Sequence, residues 1–152
     1  MAPFRILLPY NYSPNDQKAI RFVIDAFAHQ PDVSVTLFHA YTPLPDIDVK
    51  ASPENLKMRS GMTYLAAELE EKEEALSRLK DQLVESGFNR EAIDCVFQKR
   101  VKSAAEEIVE RASAANVLVL SRGAGKVTHF FTRSIYARVV AALRGITICV
   151  AT

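Results

Sequence analysis

The residues with the clearest capacity for chemistry lie between Val117 and Ser134. Val117-Leu118-Val119-Leu120 is an unbroken apolar run, the pattern of a strand buried on both faces. It empties into Ser121-Arg122-Gly123-Ala124-Gly125, and Ser134 then opens an amphipathic segment. A buried strand leading through a glycine turn to a helix start is how α/β proteins cradle phosphate. Backbone N–H groups point outward, and glycine lets an anion approach the chain. Charge is distributed in the same sense. Glu110 is the last acidic residue, and Arg111, Arg122, Lys126, Arg133, Arg138 and Arg144 follow it unopposed. Either this C-terminal third draws an anion toward the glycine turn, or it is a solvated face that balances the acidic stretch from Glu68 to Glu74.

Other motifs fail on inspection. Gly125-Lys126 resembles the end of a P-loop, but Leu120 and Val127 stand where that motif needs Gly and Ser or Thr. Gly123-Ala124-Gly125 resembles a dinucleotide fingerprint, yet Thr128 holds the place of its third glycine. His29, His39 and His129 lie far apart. His39, inside an apolar run, reads as a satisfied strand-end histidine, and His129, beside Phe130 and Phe131, as packing or a loop tip. No serine has the nucleophile-elbow pattern and no His, Cys or carboxylate spacing suits a metal, so no catalytic or metal-binding residue is expected. Cys95 and Cys149 both fall in strand patterns and read as small core residues.

These residues need a scaffold. A chain of 152 residues with 49% apolar and 24% charged content suits one globular domain, expected to span residues 1–152. A net charge of +1 gives no reason to expect nucleic acid as a partner. No apolar stretch reaches the roughly 18 residues that span a bilayer, and no secretory signal precedes Phe4. No membrane association and a cytoplasmic location are therefore expected.

The pattern predicts strands at Phe4–Pro9, Val33–Ala40, Ile93–Phe97, Val117–Leu120 and Ile146–Val150. The first helix is expected to start with Ser13 as N-cap, Pro14 at the first position and Asp16 favouring the helix dipole. Ala19, Ile20, Val23, Ile24 and Phe27 give its apolar stripe. Tyr41 to about Ser60, with Pro43, Pro45 and Pro53, reads as a long loop. A helix follows from about Met62 to Glu85, with Leu65, Leu69, Leu76, Leu79 and Leu83 on one stripe, Lys72 interrupting it, and Gly87 at the C-terminal cap. Ser103 and Glu106 form a capping box for the third helix, in which Ile108 and Val109 face inward. The last helix runs from Ser134 to Leu143, with Ile135, Val139, Val140 and Leu143 inward and Gly145 as its stop. Strict alternation of strand and helix argues for a parallel sheet covered on both faces, with right-handed crossovers. Ligands in such sheets bind beyond the carboxyl ends of the strands, where Tyr10–Ser13 and Ser121–Gly125 lie.

Ile6-Leu7-Leu8-Pro9, Leu37-Phe38-His39-Ala40, Ala105-Glu106-Glu107-Ile108-Val109 and Val117-Leu118-Val119-Leu120-Ser121-Arg122-Gly123 together resemble the universal stress protein family, over the whole chain and in one copy. The resemblance implies an α/β fold of the adenine nucleotide alpha hydrolase-like kind: a five-stranded parallel sheet, order 3-2-1-4-5, with helices on both faces. It also implies a cytoplasmic homodimer induced in stress or growth arrest. Some members bind ATP and others do not. The ATP-binding pattern, G-x2-G-x9-G-[S/T], falls here on Leu120, Gly123, Arg133 and Ser134. Where the family often has Asp-Gly after the first strand, Asn11 and Tyr12 stand, and Ser13 persists. A leucine forced into a positive-φ glycine position is strained by about 1–2 kcal/mol. Leu120 and Tyr12 add bulk, while Arg133 offers a phosphate a positive fork or fills the site itself. Gly125 offers a flexible turn in a shifted register.

Carried over position by position, the pocket comprises Pro9, Asn11, Ala40, Val119, Gly123, Arg133, Ser134 and Ile135. The backbone around Ala40 and Val119 would meet an adenine edge, and Gly123, Arg133 and Ser134 a phosphate. In the 3-2-1-4-5 order, the Ile146–Val150 strand is an edge with no proline or inward charge, which invites pairing into a two-fold dimer. A monomer in which Thr147 and Thr152 shield that edge is the alternative. Cys95 and Cys149 would then lie too far apart to bridge. The main expectation is a non-enzymatic binding or interaction module in stress adaptation, without a cofactor and with a weakened nucleotide or phosphate pocket. The rival is an ATP-binding switch with slow hydrolysis.

Overall fold

Strands buried on both faces need apolar side chains in both directions, and the sheet is built from such runs. A computed structural model describes residues 3–44, 53–122 and 137–152, with backbone alone at 53–60. The strands are β1 (Phe4–Pro9), β2 (Val33–Tyr41), β3 (Ile93–Lys99), β4 (Val117–Ser121) and β5 (Thr147–Ala151). They pair in parallel in the order β3-β2-β1-β4-β5. The helices are α1 (Asp16–Phe27), α2 (Pro53–Glu85) and α3 (Ala104–Ala112), with residues 137–142 described of a fourth, α4.

Two apolar layers flank the sheet. On one face Ile6, Leu8, Leu37 and Val119 pack against Ile20 and Val23 of α1 and Leu76, Leu79 and Leu83 of α2. On the other, Leu7, Phe38, Leu118 and Leu120 meet Ile108 and Ala112 of α3 and Val139 of α4. The capping box forms as predicted: Ser103 Oγ accepts from Glu106 N at 3.2 Å, and Glu106 Oε2 from Ser103 N at 3.2 Å. Gly145 adopts φ +71°, which suits its place after α4.

Several expectations are corrected. Helix α2 begins at Pro53, so the second part of the 41–60 segment is helix and not loop. Proline suits a first helical position because its missing N–H would have no partner there. Helix α1 begins at Asp16, with Asn15 as N-cap and without a side-chain cap bond, so Ser13 is not the cap. Ser13 Oγ accepts from Asn15 N at 3.1 Å, inside the preceding turn. Val140 is 54% exposed, so α4 turns only Val139 and Leu143 of that expected stripe inward among the described residues. Cys95 is exposed on the edge strand β3 and is not a core residue; Cys149, on the opposite edge, is half-buried, and both are free thiols. Leu120 is an ordinary strand residue opposite Val150, outside the positive-φ residues, so the expected strain is not located there.

Glu107 is a buried carboxylate in the first turn of α3 that reaches back to the preceding turn. Oε1 accepts from Val101 N at 2.9 Å and Lys102 N at 3.1 Å, and Oε2 accepts from Gln98 Nε2 at 3.0 Å. The two backbone donors hold its carboxyl below the usual value of 4.5. A lowered carboxyl pKa favours folding fully above the unfolded value, and that contribution fades as pH falls through the folded one. Glu107→Gln is therefore expected to be less stable than the wild type at neutral pH, with the gap narrowing below pH 4.5. Urea midpoints across pH check this; a gap that stays constant contradicts it.

Candidate functional site

From β1 the chain winds outward to β2 and β3, and from β4 it winds the other way to β5. The order reverses between β1 and β4, the place where open α/β sheets bind ligands. Two side chains, one from the β1–α1 turn and one from the first turn of α1, dominate this end of the sheet.

The first is Asp16, 2% exposed. Its Oδ2 accepts from Asn11 N at 3.0 Å and Ser13 N at 2.9 Å, and its Oδ1 accepts from Ser121 Oγ at 2.8 Å. One carboxylate thus ties the β1 turn, the start of α1 and the end of β4 together. It also takes two backbone N–H groups at this end of the sheet, leaving neither for an incoming anion. The carboxylate is thus satisfied by three donors of its own chain.

The second is Tyr12. Its φ of +61° is the left-handed backbone that glycine adopts without penalty, so the glycine conformation persists at this turn with a large side chain added. The side chain is pinned on three sides. Its hydroxyl donates to Lys72 O at 2.5 Å, and its ring meets the Tyr10 and His39 rings edge-on at 4.8 Å each. Lys72 Nζ lies over the ring, 5.7 Å from its centroid. Burial pushes the Tyr12 hydroxyl well above its ordinary range. Aromatic contact continues along the strand ends, His39 stacking on Phe97 at 5.6 Å and Phe97 on Tyr41 at 4.9 Å.

His39 is satisfied, as its strand position predicts. Nδ1 lies 2.7 Å from Tyr10 O, and since a carbonyl only accepts, Nδ1 carries the proton. Burial lowers the histidine's pKa, which keeps the ring neutral.

Beside this stack, at the carboxyl end of β2, a cleft of about 490 Å³ opens between the strand end and α2. Asn11 and Ala40 line it together with Tyr41, Leu65, Lys72 and Arg100. Helix geometry explains its apolar wall. At 33 residues α2 is roughly 50 Å long, against roughly 20 Å for a six-residue strand, so its first half overhangs the sheet. Leu76, Leu79 and Leu83 are core, whereas Leu65 and Leu69 of the same stripe face the cleft.

The expected pocket residues divide accordingly. Asn11 and Ala40 share the cleft. Pro9 is buried at the end of β1 opposite Phe38, and Val119 is fully buried opposite Cys149. Gly123, Arg133, Ser134 and Ile135 lie outside the described residues, as does His129. Sequence reading missed the anchoring role of Asp16, because its partner Ser121 lies 105 positions away. Lys72 gave a signal by interrupting a leucine stripe; Arg100 gave none. Among the described residues no three His, Cys, Asp or Glu side chains are placed to hold a metal ion, and no helix is long and apolar enough to cross a membrane.

Comparison with known proteins agrees with this architecture. The sequence model of the Universal stress protein family matches residues 4–144. No curated protein sequence matches the chain. Among solved structures, UspA from Lactobacillus plantarum superposes with a TM-score of 0.68 at 14% identity, covering 100% of this chain and 99% of that one. Hypothetical protein MJ0577 gives 0.65 at 19% identity, over 99% and 96%. A universal stress protein solved in complex with cAMP gives 0.61 at 14% identity, over 100% and 98%. At these identities the superpositions speak for the fold, and the match over residues 4–144 speaks for descent: the chain belongs to the universal stress protein family.

Proposed function

We propose that this protein is a non-enzymatic binding and interaction module of stress adaptation, cytoplasmic and homodimeric, whose nucleotide pocket has been remodelled from within. The observation that carries the reading is the buried Asp16 carboxylate, which holds the N–H groups of Asn11 and Ser13 and the hydroxyl of Ser121. Tyr12 supports it by filling the turn beside His39. A triphosphate arriving at the near side of the crevice would find the Asn11 and Ser13 N–H groups already taken. Calorimetric titration with ATP and magnesium is expected to show binding weaker than about 100 μM. Tighter binding supports the second reading, an ATP-dependent switch. In favour of that reading is the structural likeness to a universal stress protein that was solved with cAMP bound.

Dimerisation is assigned to β5. It pairs only with β4 among the described strands, and Val150 on it is 43% exposed. An open strand edge of this kind pairs readily with a second copy. Sedimentation is expected to give twice the 16.9 kDa chain mass. A species at the chain mass at micromolar concentration would contradict the assignment.

A further inference from the structure

We propose that the cleft between the end of β2 and the overhanging half of α2 binds a small amphiphilic anion: an apolar body ending in one carboxylate or phosphate. The inference rests on the reading above in one respect, that the donors of the β1 turn are already taken.

The argument starts from charge. Arg100 lines the cleft, half-buried, and its guanidinium has neither an ion pair nor a hydrogen bond among the described residues. Its backbone is fixed, because Arg100 N donates to Tyr41 O at 2.8 Å. Lys72 lines the same cleft and is anchored through its own carbonyl to Tyr12. The acid near it, Glu68, stands 3.5 Å from Lys72 Nζ with both side chains substantially exposed, a pair of small net strength. Among the described residues that line the cleft, two cations against one carboxylate leave a single positive charge to be met. A guanidinium takes a carboxylate or a phosphate in the same two-pronged way. His39 adds no charge, since its ring is neutral and its Nδ1–H is spent on Tyr10 O.

Shape fixes the rest of the ligand. Leu65 is 38% exposed, and with Leu69 it carries the α2 stripe past the core into the cleft. Tyr41 and Pro43 face them from the strand end. An apolar wall with one charged end and a volume of about 490 Å³ has the dimensions of a small-molecule site. It is poorly suited to a nucleotide triphosphate. The flat faces of His39, Phe97 and Tyr41 are stacked on one another, and one net positive charge does not balance a polyphosphate.

Displacement of the fluorescent sulfonate 1-anilinonaphthalene-8-sulfonate from the intact chain tests this, with competitors held below their micellar concentrations. Decanoate or decyl phosphate is expected to compete at least about tenfold better than decanol or inorganic phosphate. Whichever headgroup competes better identifies the natural one, and either supports the site. Arg100→Gln is expected to weaken the better competitor by about fivefold or more without moving the urea midpoint. Leu69→Ser is expected to weaken it while inorganic phosphate stays unaffected. Equal competition by decanol, or no change in either variant, overturns the proposal. The cleft shares Asn11 and Ala40 with the expected nucleotide pocket, but Arg100 and Leu69 lie outside that pocket, so these two variants and the ATP titration can fail independently.

Discussion

Asp16→Ala is expected to lower the free energy of unfolding by about 3 kcal/mol, among the largest effects of any single polar truncation in this protein. The change removes one carboxylate and strands three donors: Asn11 N, Ser13 N and Ser121 Oγ. Hydrogen bonds to a charged acceptor contribute about 1.5–3 kcal/mol each, but Asn11 is exposed and water can replace its bond. The sum is therefore well below three full bonds. The variant also removes a negative charge from the first turn of α1, where the helix dipole favours one. Asp16→Asn keeps one accepting oxygen and is expected to lose about half as much. Urea unfolding of the three proteins measures the series. A loss below about 1 kcal/mol for Asp16→Ala would mean that the carboxylate does not hold the two strand ends together.

The second large effect is expected at the end of α2. Gly87 has φ +117°, and Gly87 N donates to Val84 O while Phe88 N donates to Leu83 O, both at 3.1 Å. That bond pair is the Schellman closure of a helix, whose residue after the cap favours glycine. A Cβ built at Gly87 would lie 2.5 Å from His29 Cε1. Gly87→Ala therefore meets both a backbone penalty of about 1–2 kcal/mol and a collision with the imidazole, for a total of about 3 kcal/mol. Removing the ring separates the two. In a His29→Ala background the same substitution is expected to cost only about 1–2 kcal/mol. Equal losses in both backgrounds would show that the ring moves aside freely.

Much of this architecture is legible in the chain because central strands buried on both faces need continuous apolar runs. Ile6-Leu7-Leu8 and Val117–Leu120 could hardly be read otherwise, and all of these residues are buried. The Ser103–Glu106 box and Gly87 are equally legible, since each depends on partners a few residues away. What escaped depends on distance. Asp16 looked like a dipole partner in its own helix, and only the fold brings Ser121 to it. In the sequence Pro53 reads as one more loop proline, although it opens α2. Cys95 sits in a strand pattern, but that strand is an edge and its thiol is exposed. The nucleotide pocket shows the same division. The loss of glycine at position 12 was visible; that Tyr12 keeps the glycine backbone and folds its ring onto His39 was not. The family pattern points to strain at Leu120, yet among the described residues of this crevice the left-handed residue is Tyr12.

Those observations share one consequence: on the described side of the crevice between β1 and β4, the Asn11 and Ser13 N–H groups and the Ser121 hydroxyl already have Asp16 as a partner. The most direct measurement is a crystal structure after soaking with ATP and magnesium, the structural counterpart of the calorimetric titration. The Asp16 carboxylate is expected to remain on Asn11 N, Ser13 N and Ser121 Oγ, with the Tyr12 ring against His39 and no nucleotide density beside them. Density for an ordered nucleotide at the ends of β1 and β4, with Tyr12 swung away or Asp16 released from Ser121, would contradict the account.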